Sequence, residues 1–409
     1  MSRDGQEGST LFMITCICGV LGLIATFLFY RSEVEWALVS QQQQMERCRA
    51  LGLAILRSEL ELLAADDSPA DSPQDSWYHG GRTITEQNGF QISVLIEDEG
   101  SKPNLNTLDQ KDLGLLTAGQ SETEISFDPL LDWRDGDDQP RPSGAERDFY
   151  QGLAKPYQTR NGFFSTVEEL NQVKGGAALY DLLADRVTVH GLLNPNAIRP
   201  ETFGELLSSV GFTPDEVVTM TGSFRHYRAT KDPNTGQLQR FTNIDDFLKL
   251  DGILIPTRDR LRPFFRFSGG SNLNFMTREG IAVLLNQAGI GPELAAALAA
   301  RISQQPFANQ NEIENYFLNQ NQHFISSDYF SCISTLIRYR VWISKGSVRY
   351  YLDTIQERAR ASDLASWTIR SLAWYERSGS STGNDPELPQ PPPAEIENPP
   401  AEGESPPSE

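Results

Sequence analysis

Leu11 to Tyr30 reads LFMITCICGVLGLIATFLFY, a run without a single charge, and an apolar stretch of that length spans a bilayer as one helix. Its flanks differ from those of a cleaved secretory signal, because Arg3 is outweighed by Asp4 and Glu7 and no A-x-A site follows. From Val34 to Leu63 the chain has no proline and one glycine, Gly52. Val34, Leu38, Met45, Leu51, Ala54, Ile55 and Leu62 recur near helical spacing. The spacing predicts that the span continues as a stalk helix and stops before Asp66-Asp67-Ser68-Pro69. At Trp77 the period changes: Arg82 to Thr85 and Phe90 to Glu97 alternate around Asn88-Gly89, a hairpin pattern. Residues from about 146 to 320 read as short helices. Alternation returns at Asp328–Ser334, Arg338–Ile343 and Arg349–Ile355, with a further strand expected within Asp363–Arg377. A helical block inserted between two parts of one α/β unit accounts for this order.

The block repeats internally. Asn194, Asn196, Glu201, Phe203, Leu206, Gly211, Phe212 and Pro214 match Asn272, Asn274, Glu279, Ile281, Leu284, Gly289, Ile290 and Pro292 at one constant offset. The match resumes at a shorter offset, where Phe241-Thr242-Asn243 and Asp246 answer Phe307-Ala308-Asn309 and Glu312, which implies a loop insertion near Thr230–Gln239 in the first copy. Phe164-Ser165-Thr166 with Glu169 repeats only the end. Each copy reads as a capped helix, a tight glycine turn, a second helix and a short capped helix.

Charge narrows the function. The 409 residues hold 35 Lys+Arg and 55 Asp+Glu, a formal net charge of −20, which repels a phosphate backbone. Ala288-Gly289-Ile290-Gly291 resembles the turn of a helix-hairpin-helix DNA module, but the surrounding segment Asn272–Asn321 has bases only at Arg278 and Arg301, against Glu279, Glu293, Glu312 and Glu314. A helical protein-interaction fold is therefore the expectation. The four cysteines exclude a disulfide scaffold or a zinc module; Cys16 and Cys18 lie in the apolar run, and Cys48 and Cys332 read as buried thiols or as one pair. From Gly379 to Glu409 the chain carries nine prolines, seven acids and no base, a composition expected to remain disordered. The histidines are scattered, and no GxSxG, HExxH or P-loop occurs.

One acidic segment stands out: Asp132-Trp133-Arg134-Asp135-Gly136-Asp137-Asp138, followed by Gly144-Ala145-Glu146. Hard cations take six to eight oxygens, and clustered carboxylates supply them. Asp135, Asp137 and Glu146 fall at positions 1, 3 and 12 of an EF-hand count, but Pro140 stands where that loop needs glycine. An EF-hand is excluded. A different calcium loop is expected, with Asp132, Asp135, Asp137 and Glu146 as the metal-ligating set; its alternative is a solvated acidic turn.

Gly8 directly before the apolar helix, Ile96-Glu97-Asp98-Glu99-Gly100 leading to Asn104-Leu105-Asn106, the run Leu131 to Asp137, and Arg141-Pro142-Ser143-Gly144-Ala145-Glu146 together resemble general secretion pathway protein K, a minor pseudopilin family of type II secretion. Tyr150, Pro156-Tyr157, Asn161 and Phe164 to Leu170 extend the likeness, which covers roughly residues 8 to 378. The resemblance implies an α+β fold: a long N-terminal membrane and stalk helix, then a pilin-like antiparallel sheet domain with a large all-α insertion of repeated helical hairpins. The expected division is 1–8 prepilin-type leader, 9–70 transmembrane and stalk helix, 77–145 plus 325–378 pilin-like domain, 146–324 inserted helical domain and 379–409 disordered tail. It also implies cleavage between Gly8 and Ser9 by a prepilin peptidase, N-terminal methylation, and a non-enzymatic role at the pseudopilus tip in the inner membrane, with most of the chain in the periplasm. The implied partners are minor pseudopilins of families I and J, with H a further one, the inner-membrane platform and the secreted substrate; nucleic acid is not among them. The alternative function is a membrane-anchored DNA-binding or uptake protein. Met13 stands where ordinary pilins carry glutamate. A buried glutamate in a membrane helix is costly unless a neighbouring subunit's amine pairs with it, so its absence suits a subunit with nothing above it.

Overall fold

The computed structural model describes residues 4–78, 81–85, 89–119, 125–233, 236–267, 269–360 and 367–380. Residues 1–3 of the expected leader, Asn88 of the expected turn and 381–409 of the acidic tail lie outside the described residues.

Helix α1 runs unbroken from Asp4 to Ala65, through Gly8, Ser9, the apolar run and the stalk. Among the described residues it is the one helix long and apolar enough to cross a membrane, by length and composition. Its apolar side chains from Leu11 to Tyr30 are exposed, whereas Cys48, Leu56 and Leu63 are buried against a sheet.

That sheet contains β1 (Gly81–Thr85), β2 (Gln91–Asp98), β5 (Leu336–Lys345), β6 (Val348–Arg360) and β7 (Trp367–Ser380), in the order β1-β2-β5-β6-β7. Every pairing is antiparallel, with Gln91 opposite Ser344 and Asp98 opposite Ile337. Alternation in β2 and β5 turns Ile92, Val94, Ile96, Ile337, Tyr339, Val341 and Ile343 toward α1. Burying each such side chain contributes about 1.5–3 kcal/mol. Gly52 is what lets the helix approach: a Cβ there would lie 2.4 Å from the Tyr350 ring.

β2 and β5 are neighbours in the sheet, so residues 99–335 form one excursion between adjacent strands. Within it come α2 (Gln110–Leu116), α3 (Asp128–Arg134), α4 (Arg147–Gln151), α5 (Gly176–Leu183), α6 (Pro200–Val210), α7 (Pro214–Ala229), α8 (Ile255–Leu261), β3 (Ser271–Asn272), α9 (Arg278–Gln287), α10 (Leu294–Gln304), α11 (Gln310–Asn319) and β4 (Phe330–Ser331). α2 and α3 belong to this excursion, so helical packing starts well before residue 146.

The excursion consists of three modules of one design. Each opens on Asn-Xaa-Asn: Asn104 to Asn106, Asn194 to Asn196 and Asn272 to Asn274. The first asparagine accepts the N–H of the third at 2.9, 2.9 and 3.0 Å. The third then clamps both polar groups of a phenylalanine main chain. Asn106 binds Phe164, Asn196 binds Phe241 and Asn274 binds Phe307, each accepting from N–H and donating to C=O. The residue after each phenylalanine donates its N–H to a carboxylate four positions on, Glu169, Asp246 or Glu312. A parallel bridge closes each module, Asn104 to Thr188, Leu193 to Phe265 and Ser271 to Phe330. Each module has its own apolar core. The segment at Phe164, read from sequence as a terminal fragment, is thus the end of a complete copy that begins at Asn104. Its opening escaped the repeat because the clamp spans 58 residues there, against 45 and 33 in the other two.

The third module is wired to the sheet through a buried polar junction. Arg358, with no side-chain exposure, donates to Asp71 at 2.7 Å and Asp66 at 2.8 Å and lies over the Trp367 ring. Asn272 and Asn274 both donate to the Asp71 carbonyl, and Ser334 donates its N–H to the Asp71 carboxylate and its hydroxyl to Asp98. Burial pushes the Asp98 carboxyl up to about 7. It also raises Asp71, to about 6, although Arg358 pulls that group back. Cys48 and Cys332 are both buried and unpaired.

Candidate metal centre

The acidic segment lies in the first module, within the stretch that lengthens its clamp. α3 starts on Asp128-Pro129, where proline suits a first helical turn, and its apolar Leu130, Leu131 and Trp133 enter the module core. Asp128 and Asp132 are one turn apart and project to the same side. There they collect the main chain of the returning loop: Ser143 N–H donates to Asp128 at 3.0 Å, and Ala145 N–H and Arg141 N–H donate to Asp132 Oδ2 at 2.9 and 3.1 Å. The loop turns back at Arg141-Pro142-Ser143-Gly144, closed by Gly144 N–H to the Arg141 carbonyl at 2.9 Å. Gly144 is required by proximity, because a Cβ would lie 1.8 Å from Asp132 Oδ2.

This return brings together three of the four expected ligands. Asp132, Asp135 and Glu146 each present a carboxylate oxygen, all within 4.8 Å of one another. Asp132 is completely buried and Glu146 is 5% exposed. Both Glu146 oxygens, and Oδ1 of Asp135, are buried with no hydrogen-bond partner. A carboxylate so placed is held only at a cost in free energy unless a proton or a cation meets it. Burial, reinforced by Asp135 and Asp132, pushes Glu146 up to about 8. Asp135 is raised to about 6 by burial, with Arg141 opposing the rise.

Asp137 stands apart. It is exposed, and its Oδ1 accepts the Gln139 N–H at 2.8 Å. Its carbonyl and the Asp138 carboxylate are held by Asn161 Nδ2 at 3.1 and 3.2 Å. Gly136 packs against α6, where a Cβ would meet Ser208 at 2.9 Å. The loop is therefore latched to both the clamp segment and the second module.

Arg141 is the group that reasoning from carboxylates alone misses. Its Nη1 lies 2.6 Å from Asp132 Oδ1 and 2.5 Å from Asp135 Oδ2. The only signal in the sequence was a base flanked by Pro140 and Pro142, close to four acids. The unpartnered buried oxygens, the tight approach at Gly144 and an all-oxygen donor set fit a hard divalent cation.

The other motif singled out, the turn between α9 and α10, has Gly289 at φ 76°. The Glu293 carboxylate lies where a Gly291 Cβ would stand, 2.0 Å from that position. A negative group beside the turn opposes a phosphate there.

The family described as Type II secretion system (T2SS), protein K, matches residues 98–192, the span that holds the first module and the carboxylate cluster. The chain is 27% identical over 221 residues to type II secretion system protein K of Klebsiella pneumoniae, covering 48% of this chain and 68% of that protein. It is 25% identical over 198 residues to the protein of the same description from Pectobacterium carotovorum subsp. carotovorum, covering 42% of this chain and 59% of that protein. A solved structure, the GspK-GspI-GspJ complex from the enterotoxigenic Escherichia coli type 2 secretion system, aligns with a TM-score of 0.40 at 13% identity. That alignment covers 84% of this chain and 99% of that chain. The family resemblance read from the sequence is borne out as a match: residues 98–192 are similar to the family described as protein K of the type II secretion system.

Proposed function

We propose that the chain is a non-enzymatic minor pseudopilin at the tip of the type II secretion pseudopilus, initiating or capping its assembly for export of folded proteins across the outer membrane. The observation that carries this reading is architectural. A membrane-length helix continues directly into a stalk packed on an antiparallel sheet, and three cored modules fill the connection between two adjacent strands of that sheet. A subunit built to stack within a shaft needs complementary surfaces above and below; this one carries between two adjacent strands an excursion longer than the sheet itself. Met13, an apolar residue at the place of the pilin glutamate, supports the same position.

In this reading α1 anchors the chain once in the inner membrane, and the remainder lies in the periplasm. A prepilin peptidase removes the leader between Gly8 and Ser9, and the new N-terminus is methylated. Minor pseudopilins of families I and J, and H, are the neighbours, with contacts to the inner-membrane platform and the secreted substrate. The Glu293 carboxylate at the α9–α10 turn weighs against the DNA-binding alternative. Deleting the chain's gene in its own bacterium is expected to abolish export of type II cargo, and the full-length chain supplied in trans restores it. Undiminished export in the deletion strain refutes the reading.

The carboxylate cluster is read as a calcium site. Asp132, Asp135 and Glu146 would hold the ion, which would neutralise their mutual repulsion and fix the loop between α3 and α4 within the first module. Calcium is expected to raise the melting temperature relative to chelator and magnesium to do so poorly, because magnesium demands a tight octahedron. Identical melts in chelator and calcium exclude the site.

A further inference from the structure

The guanidinium of Arg141 already occupies the place where a cation would sit. Nη1 is 2.6 Å from Asp132 Oδ1 and 2.5 Å from Asp135 Oδ2. A calcium ion takes its oxygens at about 2.3–2.6 Å, so an ion shared by the same two carboxylates coincides with that nitrogen. The two cannot be present together. We propose that Arg141 is the resident occupant of the carboxylate cluster and that a divalent cation enters by exchange, displacing the guanidinium toward solvent. This rests on reading the cluster as a cation site.

Three features make the exchange a side-chain event. First, Pro140 and Pro142 flank Arg141; proline fixes its own φ and restricts the residue before it, so the main chain of this segment is stiff. Second, the Arg141 N–H holds Asp132 Oδ2 independently of the side chain, and the Ala145 N–H holds it as well. Asp132 therefore keeps its position when the guanidinium leaves. Third, the Arg141 side chain is 36% exposed while Asp132 is 0% and Asp135 15%, so the arginine has a route to water that the acids lack.

Charge supplies the direction. Arg141 pairs with Asp132 and Asp135 and leaves both Glu146 oxygens without a partner. A divalent ion gathers all three carboxylates, which a planar monovalent fork directed at two of them does not. Without the ion, Arg141 keeps the buried Asp132 and the partly buried Asp135 carboxylates from facing each other uncompensated, so the loop stays folded in both states.

The test uses the full-length chain in detergent micelles, with calcium chloride as the probe and magnesium chloride at equal ionic strength as the control. Phenylglyoxal modifies free guanidinium groups, and its extent at Arg141 is read by mass spectrometry beside a melting curve from the same sample. The exchange predicts that calcium raises the melting temperature and increases Arg141 modification several-fold over chelator and over magnesium. Arg141→Gln, which removes the competing occupant but retains the main-chain hold on Asp132, is expected to bind calcium about tenfold more tightly in calorimetric titration. Folding of that variant only in the presence of calcium also supports the exchange. A calcium-dependent rise in melting temperature with Arg141 modification unchanged or reduced overturns this inference and leaves the cation site standing. Absence of any calcium effect on the melt or on modification overturns both.

Discussion

Replacing Asn196 by alanine tests the module design at its most exposed point of failure. Asn196 accepts the Phe241 N–H at 3.0 Å and donates to the Phe241 carbonyl at 2.9 Å. Phe241 is 1% exposed, and its ring stacks on Phe224 and Phe247. Water cannot replace the lost partner without opening that core. Each buried polar group left unsatisfied costs about 1–3 kcal/mol, so Asn196→Ala, which orphans two, is expected to destabilise the second module by about 2–6 kcal/mol, a large share of a typical domain's total. The second module has its own apolar cluster, so the loss is expected to be local. Hydrogen exchange should accelerate across residues 194–265 and remain unchanged in β2, β5 and β6. Asn196→Asp sharpens the test. The carboxylate can still accept the Phe241 N–H but faces the carbonyl with no proton to give. Its pKa therefore rises in the folded state, and stability present at low pH is lost as pH rises through that value. Urea titrations of a fragment beginning at Glu33 measure both variants. A change below about 0.5 kcal/mol, the range of ordinary surface substitutions, or uniform acceleration of exchange, refutes the clamp as the element holding each module closed.

Asp98→Asn is expected to flatten the pH dependence of stability: Asp98 ionises near 7 when folded and near 4 when unfolded. Its contribution is therefore complete below about pH 4 and lost by pH 7, as denaturant midpoints across that range will show. Gly144→Ala places a Cβ 1.8 Å from Asp132 Oδ2 and is expected to cost about 1–3 kcal/mol and to abolish any calcium-dependent melting shift. Gly52→Val, whose Cβ would lie 2.4 Å from the Tyr350 ring, is expected to lift the stalk from the sheet, measured as faster exchange in β5 and β6 and greater protease cleavage near residues 66–78.

The parts of this fold legible in the sequence are those set by local pattern. The uncharged run and the Gly52-only stalk gave α1, and alternation gave β2, β5 and β6. The strand expected within 363–377 is found as β7, Trp367 to Ser380, with residues 361–366 lying outside the described residues. The repeat was visible wherever two copies keep similar spacing, as at Asn194 and Asn272. It was hidden in the first module because the acidic loop and α4 lengthen the stretch between Asn106 and Phe164 without altering the clamp. The candidate site was legible as a composition and illegible as a geometry. Counting along the loop treats Asp135 and Asp137 as equivalent, but the turn at Gly144 carries Arg141 and Ala145 back onto Asp132 and leaves Asp137 on the outside. The junction of Asp71, Asp98, Ser334 and Arg358 joins residues up to 287 positions apart, and no local pattern encodes such pairing.

The proposed place of this chain in a complex of minor pseudopilins is tested most directly by its partners. The full-length chain should be co-expressed with the minor pseudopilins of families I and J from the same bacterium, extracted in mild detergent and passed through size exclusion with mass measurement. The account predicts a single stoichiometric complex containing one copy of each, and no polymer of this chain alone. A chain that elutes free of both partners, or that assembles with itself into filaments, contradicts it.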